Sequence, residues 1–149
     1  MTTGSDASLA AKTGVRYDDL QEGQTCEIRR QLTGEAIDAF AQASGDHNPL
    51  HVDRDFAIAA GFGDRIAHGM LLASWISAAL AEHLPGRGTL YLRQSLEFRQ
   101  AALPGDELLV RLSVSEKKRR GRVILSCLII NEATGKELLR GSAEVIAPS

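Results

Sequence analysis

The chain has 149 residues, 44% of them apolar and 24% charged, a formal net charge of −2 and a sequence pI near 6.1. That is the size of one domain with a core large enough to fold without disulfides or metals. The near-neutral balance excludes the electrostatic footprint of a nucleic-acid or anionic-membrane binder.

Residues 1–14, rich in Thr, Ser, Ala and Gly, read as a loose tail, and 15–149 as a single domain. No run approaches the ~20 apolar residues of a membrane span, and the start lacks a signal-peptide block, so a cytoplasmic protein is expected. Cys26 and Cys127 stand far apart with no CxxC spacing. They fit a reducing compartment, with Cys127 as a small buried hydrophobe in the run Val123 to Ile130.

A loop from Tyr17 leads into a strand near 25–31. Thr33 then caps a helix through about Ser44, with Ile37, Phe40 and Ala41 on one face, and Gly45 ends it. The following Asp46-His-Asn-Pro-Leu-His51 is expected on a tight loop, because Pro49 lacks an N–H and restrains Asn48. A short helix is predicted from 52 to 60, stopped by Gly61. From Gly69 through Glu82 the chain is apolar nearly all round, which for a four-turn helix means burial.

The rest reads as β. Leu90, Leu92, Leu96 and Phe98 alternate in one strand, and Leu108, Val110, Leu112 and Val114 in the next. The Lys117 to Gly121 turn and the Thr134-Gly135-Lys136 turn introduce two more, 123–130 and 138–146. The sum is α+β: one buried helix beside an antiparallel sheet of about five strands.

Chemistry concentrates in two places. Asp46 and His51 join a carboxylate to an imidazole on one restrained segment, a pair able to take a proton from a shared water and return it elsewhere. His68 and Gly69 open the apolar helix, where main-chain N–H groups lack internal partners and the dipole is positive. Gly69, without a side chain, lets a carbonyl oxygen approach its N–H.

Asp46, His47, His51 and Asp53 offer four potential metal donors, but at a spacing matching no familiar pattern and splayed by the proline turn; no metal is expected. His68 reads as a structural histidine whose ring bonds loop backbone, with a place behind the dyad as the alternative. Leu71, Leu72, Trp75 and Ile76 read as core, and Leu50, Phe56 and Phe62 as caps near a pocket.

The runs Ser44-Gly-Asp-His-Asn-Pro-Leu-His-Val-Asp53 and Arg65-Ile-Ala-His-Gly-Met-Leu-Leu-Ala-Ser74 resemble the MaoC-type (R)-specific enoyl-CoA hydratases. The similarity extends to Leu90–Phe98 and Pro104-Gly-Asp106 and covers residues 17 to 146. It implies a hot-dog fold, a long helix wrapped by a curved antiparallel sheet, and reversible hydration of trans-2-enoyl thioesters to (R)-3-hydroxyacyl thioesters. Asp46 and His51 would be the dyad, Gly69 N–H the oxyanion donor, and Asn48 and Ser77 groups that position the dyad or the oxygen. The substrate would be an acyl-CoA or acyl-carrier-protein thioester, handled without cofactor by a homodimer or larger assembly with its acyl tunnel near the subunit interface.

For the coenzyme A phosphates Arg93 is carried forward, with Arg87, Arg99 and the Lys117–Arg120 run as equals. Arg65 stands where relatives often carry proline. Thioester hydrolysis, or a non-catalytic subunit of a heterodimeric dehydratase, are the alternative readings.

Overall fold

The computed structural model describes residues 14–149. The expected tail therefore lies outside the described residues except at Gly14, which belongs to the fold. Its N–H donates to Arg87 O at 3.0 Å, and a Cβ there would sit 2.5 Å from Pro85 O.

After a 3-10 turn at Tyr17–Asp19, the elements run β1 (Thr25–Gln31), α1 (Gly34–Ser44), α2 (Pro49–Val52), α3 (Arg54–Ala59), α4 (Gly69–Glu82), β2 (Leu90–Phe98), β3 (Glu107–Lys117), β4 (Arg122–Asn131) and β5 (Glu137–Ile146). The strands form one sheet in the order β1-β3-β4-β5-β2, with every neighbouring pair antiparallel. No helix among the described residues is long and apolar enough to cross a membrane.

The alternation read in the sequence decides which sheet face meets α4. On β3, Leu108, Val110, Leu112 and Val114 are buried; on β4 it is Val123, Leu125, Cys127 and Ile129; on β5, Leu139, Ala143 and Val145. Leu71, Leu72, Trp75, Ile76, Ala79 and Leu80 of α4 complete the core. Each large side chain buried here contributes about 1.5–3 kcal/mol, so sheet and helix hold one another. This is the hot-dog arrangement expected for an apolar helix with few other surfaces on which to bury itself.

The strand expected over Leu90–Phe98 is present, but its alternating side chains are largely uncovered: Leu90, Leu92 and Phe98 are 61%, 42% and 53% exposed, and of the four only Leu96 is half-buried. Their strand is a sheet edge, and the register shifts between Tyr91 and Arg93 against β5. Alternation marks two faces of a strand but does not supply a neighbour to cover either.

The segment around Pro49 is not a plain loop. Asn48 Oδ1 accepts Leu50 N–H at 3.1 Å, Pro49 takes the first helical position, and a short helix reaches Val52. Proline is tolerated there because that N–H has no intrahelical partner in any case. Asp53 then caps a second helix by accepting Phe56 N–H at 3.1 Å, so the single helix expected over 52–60 is two, with His51 inside the first.

Candidate active site

Thr33 Oγ1 accepts Ala36 N–H at 3.1 Å to start α1, and Gly45, at φ 78°, ends it in the left-handed region that favours glycine. That reversal delivers Asp46 at the head of a locally bonded turn. Ser44 Oγ accepts Asp46 N–H, and Asp46 Oδ1 accepts Asn48 N–H, each at 3.1 Å. One carboxylate oxygen is thereby held by main chain, and Oδ2 lies 4.0 Å from His51 Nε2.

His51 is buried, while the Asp46 side chain is half exposed. The other imidazole nitrogen, Nδ1, lies 2.8 Å from Ile66 O. A carbonyl oxygen only accepts, so Nδ1 carries a proton and Nε2, on the Asp46 side, is the nitrogen left to exchange protons. Two strands of contact hold this turn against the following loop: Ile66 N–H donates to Leu50 O at 3.0 Å, and Arg65 Nη1 donates to His51 O at 3.2 Å. The Arg65 guanidinium also bonds Asp38 and reaches toward Gly34 O on α1. A Cβ at Gly34 would come within 2.8 Å of Arg65 Nη2, so the glycine makes room for the arginine.

His68 precedes α4, and its Nε2 lies 3.0 Å from Asp46 O. Its ring stacks on that of His51, centroids 3.8 Å apart and planes 26° from parallel. Gly69 is the first residue of α4, where the N–H has no carbonyl within the helix to meet. An added Cβ on Gly69 would lie 2.5 Å from the Phe98 ring, so that ring packs directly on the glycine.

These groups open onto a cleft of about 580 Å³, within the range of small-molecule sites. Asp46 and His51 form one wall, Gly69, Met70 and Leu72 another, and the segment Phe98 to Ala102 the third. Ala67 N–H donates to Ala102 O at 2.9 Å, tying the last wall to the first residues before the helix.

Asp46, His51 and Gly69 are thus brought together as the sequence suggested. The other candidates are elsewhere. The Asn48 side chain is exposed and committed to capping α2, so its contact with the dyad runs through its main-chain N–H. Ser77 is half-buried two turns into α4 and does not line the cleft; Arg93 is exposed on β2, opposite Glu144. The arginine at the cleft is Arg99, paired with Glu97 at 3.0 Å. Of the pocket caps expected, Phe62 lines it, whereas Leu50 and Phe56 do not.

The metal alternative loses His47, which is exposed with Nδ1 3.2 Å from Gly45 O, and Asp53, which caps α3. Among the described residues, Asp46, His51 and His68 do offer donor atoms within 4.8 Å of one another. Yet the nitrogens left free of carbonyl contacts, His51 Nε2 and His68 Nδ1, carry their lone pairs in the planes of two stacked rings, which run side by side instead of converging. The set fits proton transfer better than coordination.

Sequence reasoning missed the Phe98–Ala102 wall and the Arg65 clamp. Neither leaves a local signature, since both depend on segments distant in the chain. Cys127 is the buried small residue expected, its thiol pushed up to about 11 by burial.

Comparison with known proteins points to one family. Residues 18–134 match the family described as MaoC like domain. The chain is 36% identical to the 3-hydroxybutyryl-CoA dehydratase of Methylorubrum extorquens over 89% of its own length and 83% of that protein's. It is 35% identical to the (R)-specific enoyl-CoA hydratase of Rhodospirillum rubrum, covering 89% and 92% of the two chains. The unliganded structure of the R-hydratase PhaJ1 from Pseudomonas aeruginosa superposes with a TM-score of 0.87 at 42% identity, covering 91% of this chain and 87% of that one. On its fold, its paired motifs and these relatives, the chain belongs to the MaoC-like family of hot-dog proteins.

Proposed function

We propose that the protein catalyses reversible, (R)-specific hydration of trans-2-enoyl-CoA to (R)-3-hydroxyacyl-CoA, with Asp46 and His51 as the proton-handling pair. The observation that carries this is the 4.0 Å separation of Asp46 Oδ2 from His51 Nε2 at the wall of the cleft that Gly69 opens onto. One water oxygen about 2.8 Å from each atom spans that gap, a normal hydrogen-bond length to both.

His51 Nε2, its ring oriented by Ile66 O, takes a proton from that water. The resulting hydroxide attacks the β carbon of the enoyl group, and the π electrons move toward the thioester oxygen. Gly69 N–H, at the positive end of α4, stabilises the enolate oxygen so formed. The α carbon then takes a proton from the Asp46–His51 pair, so that H and OH of one water are added from the same wall. Dehydration runs these steps in reverse. Arg99 at the cleft is the cation best placed for the charged end of the thioester carrier.

The assembly is a dimer through β2. Its edge exposes Leu90, Tyr91, Leu92 and Phe98, whereas the opposite edge, β1, exposes Thr25, Glu27, Arg29 and Arg30. An apolar edge strand left to water is a site for pairing with a second chain, and a charged one resists it. The reduced cysteines, Cys26 half-buried and Cys127 buried, suit the cytoplasm. The deciding measurement follows loss of conjugation when purified protein meets crotonyl-CoA, with chiral analysis of the product. No loss of conjugation, or an (S) product, would end this reading.

A further inference from the structure

Among the described residues that line the cleft, His68 is the ionisable one that the steps above leave unused. It is 2% exposed, wedged between two rings: Phe40, with centroids 4.8 Å away and planes at 57°, and His51, stacked at 3.8 Å. Its Nε2 meets Asp46 O at 3.0 Å. Its own carbonyl oxygen accepts Leu71 N–H at 3.0 Å and so takes part in the opening turn of α4. One residue therefore touches the main chain of Asp46, the ring of His51 and the turn that presents Gly69.

The geometry points to His68 as a positioning residue that sets the spacing of the Asp46–His51 pair through two separate contacts. The Asp46 carbonyl can only accept, so His68 carries its proton on Nε2, and that N–H fixes the backbone from which the carboxylate springs. The stacked face fixes the plane of the His51 ring, and with it the direction of Nε2 toward Asp46. Asp46 and His68 stand 22 positions apart in sequence; the bonds of Ile66 and Arg65 hold the Leu50–His51 end of the turn, and the His68 contact holds its Asp46 end.

The remaining nitrogen, Nδ1, argues that this is more than space-filling. It is buried with no hydrogen-bond partner among the described residues. A buried polar atom left unpaired works against stability, and an apolar ring would fill the same volume without that cost. Imidazole combines a flat stacking face with an in-plane N–H. Phenylalanine keeps the first without the second, and glutamine keeps a donor without the ring.

The inference rests on the hydratase reading, and its test separates the two. Nitrogen-15 NMR of the wild-type imidazoles should show His68 as the Nε2–H tautomer and His51 as the Nδ1–H tautomer. His68→Gln and His68→Phe, checked for folding by thermal melting, should each lower kcat for crotonyl-CoA about 10- to 100-fold, as small misplacements of reacting groups do. KM should stay within about threefold. In an Asp46→Asn background the same substitutions should add less than about threefold, because residues acting as one unit do not lose activity additively.

An active wild type whose His68 variants both keep kcat within twofold overturns the positioning role. So do losses that multiply with Asp46→Asn, or His68 found as the Nδ1–H tautomer. If neither variant folds, the wild-type tautomers decide alone. A wild type inert toward every enoyl-CoA offered would instead overturn the hydratase reading.

Discussion

The Nδ1 of His51 faces the carbonyl oxygen of Ile66 at 2.8 Å, a contact across 15 positions of sequence. It decides which imidazole nitrogen is available: with Nδ1 holding its proton for Ile66, the free lone pair is on Nε2, the atom 4.0 Å from Asp46. His51→Ala removes that nitrogen, and Asp46→Asn removes the carboxylate charge while keeping its shape. Each should lower kcat for crotonyl-CoA by about 10²–10⁴-fold with little change in KM, the usual scale for losing a positioned acid or base. Steady-state kinetics of the two variants, with circular dichroism to verify folding, check this. Turnover near the wild-type rate in either would refute the dyad.

Arg65 holds the main chain of the same residue, donating to His51 O while it pairs with the Asp38 carboxylate. Arg65→Ala should destabilise the fold by about 1–2 kcal/mol, because the His51 carbonyl loses a charged donor and α1 loses its tie to α2. Arg65→Lys should recover only part of this, since a point ammonium cannot reach Asp38, His51 O and Gly34 O together. Urea melts of the three proteins measure the difference. A melt of Arg65→Ala that overlays the wild type would show the clamp to be idle.

Gly69 and Phe98 form a matched pair. With only 2.5 Å between an ideal Cβ at 69 and the Phe98 ring, Gly69→Ala should displace that ring and obstruct the approach to the main-chain N–H. Activity should fall by more than about tenfold while the fold survives, because Phe98 lies outside the core between sheet and helix. Phe98→Leu in the Gly69→Ala background removes the clash and should restore part of kcat. Loss of activity unchanged by the second substitution would place the obstruction elsewhere.

Cys127 provides a pH test of the core. Burial raises its thiol from 9.0 to about 11, so in the unfolded chain it loses its proton at lower pH than in the folded protein. Stability attached to the buried thiol is complete below about pH 9 and is lost as pH climbs toward 11, by about 3 kcal/mol for two units. Urea melts between pH 8 and 10.5 should show a steeper decline for wild type than for Cys127→Ala. Cys26, also raised by burial, leaves a smaller decline in that variant. Equal slopes would mean that the thiol is not shielded.

How much of this was legible before any coordinates depends on the range of the interaction responsible. The limits of α1, with Thr33 before it and Gly45 after it, follow from capping chemistry within a few residues. The buried α4 and the alternating faces of β3, β4 and β5 follow from apolar periodicity, which reports the neighbour a segment needs. Asp46, His51 and Gly69 could be singled out because of their residue types beside a proline turn and a helix start, and the structure brings the three to one cleft.

Tertiary structure alone decided the rest. The open face of β2 shows the same apolar alternation as the covered faces of β3 and β4, since sequence shows which side chains share a face but not whether a neighbour covers it. Asn48 looks like a positioning amide until its oxygen is found capping α2, and Arg93 and Ser77 carry suitable groups on stretches of strand and helix that do not line the cleft. Local chemistry is written in adjacent residues. Distances such as the 4.0 Å between Asp46 and His51, and the stacking of His68 behind them, come from the packing of α1, α2 and the loop that enters α4, which no short stretch of chain encodes.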